Sequence, residues 1–98
     1  MNAMRPIHPG EILREELATI GLSASAFAAA LHVPPNRITA ILNGARSVTA
    51  DTALRFAQFF GTSPEFWLNL QTAYDLKVAV MDVGATIEQE VKTYSAAA

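Results

Sequence analysis

The sequence predicts an all-α domain that contains a helix-turn-helix. No segment shows the sustained apolar–polar alternation of a strand, and apolar residues recur three and four positions apart along the chain. Glycines follow the helical runs, as residues in the left-handed conformation at helix ends do. Serine or threonine precedes several of the helical runs, as N-cap residues do. The glycines are Gly21, Gly44 and Gly61, and the capping residues are Ser23, Thr49 and Ser63.

Each helix is predicted from one run of apolar residues at helical spacing and from the capping or helix-ending residues on either side of it. The five predicted helices span residues 9–19, 24–31, 35–43, 50–60 and 64–81. In the tail, Ile87, Val91 and Tyr94 stand at helical spacing, which is compatible with a short sixth helix. His8, which precedes the first helix, is expected to help cap it.

The same pattern indicates the core and the organisation of the chain. We divide the chain into an N-terminal extension at 1–8, a helix-turn-helix domain with a C-terminal dimerisation helix at 9–81, and a short, partly helical tail at 82–98. The predicted core residues of the first four helices are Leu13, Leu17, Ile20, Phe27, Ala28, Leu31, Ile38, Ile41, Leu42, Ala53, Phe56, Ala57 and Phe60.

Two adjacent prolines divide what otherwise looks like one helix, AFAAALHVPPNRITAILNG at residues 26–44. Pro34 disfavours the α conformation at Val33 and so ends the preceding turn. Pro35 suits the first position of a new helix, where the missing N–H is no loss. Two short helices joined by a tight turn are the layout of a helix-turn-helix, whose second helix enters the DNA major groove.

The third helix keeps a polar face once its inward residues are set aside. Asparagine can pair with adenine and arginine with guanine, while threonine and alanine can touch the thymine methyl group. Polar residues just after the helix are suited to phosphates. Taken alone, the same face can equally be the solvated side of a short helix. The candidate DNA-binding residues are Ser25, Asn36, Arg37, Thr39, Ala40, Asn43, Arg46 and Ser47.

Charge is distributed unevenly along the chain. The formal net charge of −2 argues against a nucleic-acid binder, but Arg37, Arg46 and Arg55 against Asp51 make residues 17–64 basic, and both flanks are acidic. The N-terminus lacks a signal-peptide run, and no stretch approaches the roughly 18 apolar residues of a membrane span. We therefore expect a cytoplasmic protein with no membrane partner.

Catalytic and metal-binding patterns are missing from the sequence. There is no cysteine, the two histidines lie on separate segments, and the glycines are isolated. Glu11 and Glu15 are four residues apart on the first predicted helix, which suggests a solvated face rather than a catalytic pair. We expect no catalysis, no metal ion and no cofactor.

The motifs resemble a known family. Residues 22–44 resemble the helix-turn-helix of the phage-repressor-like superfamily, and HPGEIL, TADTALR and GTSPEFWLNLQ narrow the resemblance to the HigA/VapI group of antitoxins. The resemblance implies a five-helix DNA-binding fold and a homodimer on a palindromic operator. It also implies autorepression of a toxin–antitoxin operon and binding of a HigB/RelE-like toxin that cuts messenger RNA. The alternatives are a stand-alone helix-turn-helix transcriptional regulator without a toxin, and a protein-binding adaptor that no longer contacts DNA.

Four positions depart from the pattern of that family. Ala24 and Pro35 stand where glutamines often contact DNA, Ala45 replaces a frequent lysine, and His32 replaces the glycine of the turn. These departures leave base readout to Asn36, Arg37, Thr39 and Ala40. A dimer contacting about five phosphates is then expected to lose affinity with salt at a log–log slope near −4 to −5.

The fifth predicted helix carries a stripe of apolar residues that can be buried in either of two ways. It can close the core of one protomer, or it can form a self-complementary dimer patch with aromatic anchors. The family resemblance favours the dimer, with the tryptophan shared between core and interface. The candidate interface residues are Phe66, Trp67, Leu70, Tyr74 and Val78.

Overall fold

A computed structural model of the chain describes residues 5–95, which form five helices and no strand. The all-α, five-helix class is therefore confirmed, and the first four helices begin and end within one residue of their predicted bounds. The helices are α1 (Pro9–Ile20), α2 (Ala24–Leu31), α3 (Pro35–Leu42), α4 (Ala50–Phe60) and α5 (Pro64–Glu90).

Local hydrogen bonds define the helix ends as predicted. Ser23, Thr49 and Ser63 each accept a hydrogen bond from the backbone N–H three residues on. At α1, the His8 ring accepts from the N–H of Gly10 at 2.9 Å, and the Glu11 carboxylate accepts from the N–H of His8. His8 thus caps α1, and the capping box reads HPGE in place of the usual serine or threonine.

The turn between α2 and α3 has the predicted conformation. His32 ends α2 in the left-handed region, at φ 60° and ψ 45°, which histidine tolerates better than most residues. Pro34 is the extended N-cap of α3 (φ −62°, ψ 143°), and Pro35 is its first residue. The two prolines therefore separate the helices without costing either of them an internal hydrogen bond.

α5 is longer than predicted, and the prediction of a separate sixth helix is wrong. α5 continues past residue 81 to Glu90, so Ile87 lies within it and the described residues contain no separate helix. Nothing in this segment stops a helix, because it holds no proline and Gly84 alone costs only about 1 kcal/mol. Val91 and Tyr94 follow the helix end, and residues 96–98 of the predicted tail lie outside the described residues.

The core lies between the first four helices and the first two turns of α5. It contains the predicted inward residues except Ile20, which is 49% exposed, and Leu42 and Phe60, which are only partly buried. Ile20 is exposed because it is the last residue of α1, just before the chain turns away at Gly21. Aromatic rings connect α2, α4 and α5, with centroids 5.4 Å apart for Phe27–Phe56 and 5.0 Å for Phe56–Trp67.

α1 and α3 approach each other closely at Gly10. A Cβ atom on Gly10 would lie 1.9 Å from the backbone oxygen of Ile41. One turn further along α1, the Arg14 guanidinium donates to the Leu42 carbonyl oxygen at 3.1 Å and so satisfies a free carbonyl at the end of α3. α1 therefore contacts the C-terminal end of α3 at two adjacent carbonyl groups.

None of the helices in the described part of the chain is long and apolar enough to cross a membrane.

Candidate DNA-binding surface

α3 lies on the body of the protein with its apolar side inward and a polar side facing solvent. Ile38 and Ile41 are fully buried. The opposite side consists of Asn36, Thr39, Ala40 and Asn43, which we call the readout face. Its three polar residues are exposed and Ala40 is half-buried. The structure therefore leaves amide, hydroxyl and methyl groups free to approach base edges in a major groove.

Arg37 differs from the rest of the predicted set, because its guanidinium does not point freely into solvent. Its Nη1 donates to Oδ1 of Asp51 on α4 at 3.0 Å, and its side chain is only 24% exposed. The same Asp51 oxygen accepts from Nε of Arg55 at 2.8 Å. Hydrogen bonds from Arg55 and then from Arg37 lower the pKa of Asp51, so the carboxylate stays ionised.

The segment after α3 is held by a buried side chain of α5. Gln71 is 6% exposed, and its Oε1 accepts from the N–H of Val48 at 2.8 Å. Its Nε2 donates to Asp75 at 2.8 Å. Arg46 and Ser47, the predicted phosphate contacts, are exposed directly before Val48. Gln71 thus positions this segment relative to α5. The sequence analysis missed this role because Gln71 and Val48 are 23 positions apart in the chain.

The structure brings most of the predicted DNA-binding residues to exposed positions on α2, on α3 and after α3. The prediction depends most on Asn36 and Arg37 facing outward together: Asn36 is exposed, whereas Arg37 is half-buried against α4 and only half of that prediction is met. The exposed residues of the set are Ser25, Asn36, Thr39, Asn43, Arg46 and Ser47.

The predicted dimer residues are divided between the core and the surface. Trp67 is 2% exposed and packs on Phe56, so the core half of its predicted shared role is confirmed, and the protomer itself leaves almost none of the ring for an interface. Leu70 packs partly against the core. The Tyr74 ring meets the His8 ring edge-on, with the two ring centroids 4.9 Å apart. Phe66 and Val78 are exposed.

A second apolar stripe, which the prediction missed, lies on residues 76–90 of α5, which are almost all exposed and which we call the projecting part of α5. Its members are spaced four, three and four residues apart, as along a coiled-coil seam, and all are exposed. The periodicity alone can reveal them once α5 is known to continue past residue 81. They are Leu76, Val80, Val83 and Ile87. We call them the α5 seam.

No group of three or more potential metal ligands occurs among residues 5–95.

Comparison with known proteins agrees with this geometry. The sequence profile of the helix-turn-helix family matches residues 13–67. A solved structure of an addiction module antidote protein of the HigA family, from Coxiella burnetii, is 65% identical and superimposes with a TM-score of 0.90 over 93% of this chain and 100% of that one. The chain belongs to the HigA family of helix-turn-helix antitoxins.

Two further relatives extend the family comparison. Virulence-associated protein I of Dichelobacter nodosus is 60% identical over 82 residues, which are 83% of this chain and 76% of the relative. The HigA antitoxin of Pseudomonas aeruginosa, solved with the higBA promoter, is 42% identical with a TM-score of 0.90 over 93% of this chain and 100% of that one. This chain therefore shares its fold with a HigA antitoxin whose structure was solved with promoter DNA.

Proposed function

We propose that this HigA-family chain is the antitoxin of a toxin–antitoxin pair. In this proposal a homodimer binds a palindromic operator upstream of its own genes, represses them, and neutralises a HigB/RelE-like toxin. It acts in the cytoplasm, carries no cofactor and has no catalytic activity of its own. The observation that carries the DNA-binding part is the exposed readout face on the second helix of the helix-turn-helix.

The geometry supports reading of bases in a major groove. α3 is short and is packed on α1, α2 and the core, so its outward side chains are carried on a rigid support. Arg46 and Ser47 lie at the end of α3, where side chains reach phosphates. Base contacts, which specify sequence, would therefore come from the readout face. Phosphate contacts, which position the protein, would come from the residues that follow it in the chain.

A dimer through α5 would bring two such surfaces to one operator. The projecting part of α5 has the α5 seam on one side and Val78 on the other, and both sides expose apolar area. A helix that is apolar on both sides is normally covered. We propose that a second copy covers it, which would place two α3 helices about 34 Å apart on successive major-groove turns of a palindrome.

Asn36→Ala tests the readout face. The variant is expected to bind the DNA upstream of its own gene about five- to 150-fold more weakly for each half-site, because an asparagine pairing with adenine discriminates by about 1–3 kcal/mol. Affinity for an unrelated duplex should stay unchanged. Mobility shifts or fluorescence anisotropy on both duplexes measure the two affinities.

The matched control for this variant is Gln89→Ala. It also removes an exposed amide side chain, but from the far end of α5. We expect parental affinity for both duplexes. If Asn36→Ala and Gln89→Ala bind the upstream DNA equally well, α3 is not the reading element.

The toxin half of the proposal is tested with the product of the neighbouring gene. A basic toxin would meet acidic residues on α1 and along α5, since opposite charges steer association. We expect the chain to co-purify with that product and to restore growth and messenger RNA levels when the two are co-expressed. Operator binding without either effect would favour the stand-alone regulator instead.

A further inference from the structure

Arg37 lies at the edge of the readout face, yet it is restrained by the protein itself. It shares α3 with Asn36 and Thr39, but its side chain turns toward α4, where Nη1 donates to Asp51. Its Nε is buried and has no hydrogen-bond partner within residues 5–95. The cation that α3 itself carries is therefore paired in the absence of DNA.

Asp51 is itself fixed by a second arginine. Arg55, four residues further along α4, donates from Nε to the same Asp51 oxygen and from Nη1 to the carbonyl oxygen of Leu31, the last residue of α2, at 2.8 Å. This arrangement links the ends of α2, α3 and α4. The carboxylate is therefore held beside α3 by Arg55 as well as by Arg37.

We propose that Asp51 is a specificity-determining positioning residue, which holds the Arg37 guanidinium away from the DNA backbone so that uncharged side chains read the sequence. The proposal rests on the DNA-binding function proposed above. A free guanidinium at this edge would bind phosphates of any sequence and would raise operator and non-operator affinity alike. Pairing it with Asp51 lowers affinity for wrong sequences, and thereby increases the difference on which specificity depends.

Asp51→Asn provides the test, because it keeps the shape of the side chain and removes its charge. Each released guanidinium adds one phosphate contact, so the log–log salt slope on a non-operator duplex should steepen by about 0.9 per protomer and about 1.8 per dimer. The ratio of operator to non-operator affinity should fall by at least about three-fold. Fluorescence anisotropy at several salt concentrations, on the upstream DNA and on a shuffled duplex of equal composition, measures both quantities.

Three further variants separate this effect from charge and folding. Glu88→Gln makes the same charge change at an exposed position of α5 and should leave the affinity ratio at the parental value. Asp51→Glu keeps the carboxylate and should restore most of the ratio. In an Arg37→Gln background, Asp51→Asn should have no further effect on the slope, because Arg37 is already gone and Arg55 keeps its hydrogen bond to the Leu31 carbonyl oxygen. Equal thermal unfolding midpoints confirm that the variants are folded.

The outcomes distinguish this proposal from the function on which it rests. If the parent binds the upstream DNA with preference and Asp51→Asn keeps both the slope and the ratio, the positioning role is overturned while DNA binding stands. If Asp51→Asn weakens binding to both duplexes equally, Asp51 only supports the fold, and the proposal is again overturned. A parent that binds neither duplex overturns the proposed function together with this inference.

Discussion

A chain carrying Val78→Asp and Val80→Asp is expected to be a folded monomer that binds its operator at least about a hundred-fold more weakly than the parent. The two valines are 39% and 59% exposed and lie on opposite sides of α5, so the charges leave the core intact but disrupt either apolar face as an interface. A dimer engages its second half-site at a high effective concentration, and that gain of about 10²–10⁴ is lost in a monomer.

Sedimentation velocity and operator titration measure the two consequences of the double variant. Thr86→Asp is the matched control, since it adds the same charge to an exposed position of α5 outside both apolar stripes. It should remain a dimer with parental affinity. The single variants assign the interface: Val80→Asp tests the α5 seam, and Val78→Asp tests the stripe recognised in the sequence. A double variant that still sediments as a dimer removes α5 from the interface.

Gly10→Ala is expected to lower the free energy of unfolding by about 1–3 kcal/mol, the range for inserting an atom into a well-packed site. The added methyl group would meet the Ile41 backbone oxygen, which cannot move as a flexible side chain can. α1 and α3 must therefore separate. Because α3 carries the readout face, operator affinity should also fall. Urea unfolding at one fixed protein concentration measures the stability, since a dimer's stability depends on concentration.

Gly84→Ala is the control for this substitution and should change stability in the opposite direction. Gly84 lies inside α5, where an added Cβ would make ordinary contact with Val80 at 3.4 Å. Alanine there should raise the free energy of unfolding by about 0.5–1 kcal/mol through the lower conformational entropy of the unfolded chain. Equal stabilities of the two variants would show that α1 and α3 have room to separate without cost.

Prediction from the sequence succeeded where the controlling interactions are local. The caps at Ser23, Thr49 and Ser63 act within three residues, and the double proline acts on its immediate neighbours. It failed at the end of α5, because no local signal marks a helix that simply continues. It left Trp67 shared between core and interface, because a stripe at helical spacing does not reveal whether the ring packs on its own protomer or on another.

What the sequence determined by itself is the order of the five helices, the turn between α2 and α3, and the HigA motifs. What only the tertiary structure decided is which side chains are free. Arg37 and Asn36 are neighbours in the chain, yet one is paired with Asp51 fourteen positions away and the other is exposed. Gly10 is needed only because Ile41 approaches it. The physical reason is that caps and turns depend on backbone within a few residues, whereas contacts between helices depend on how the whole core packs.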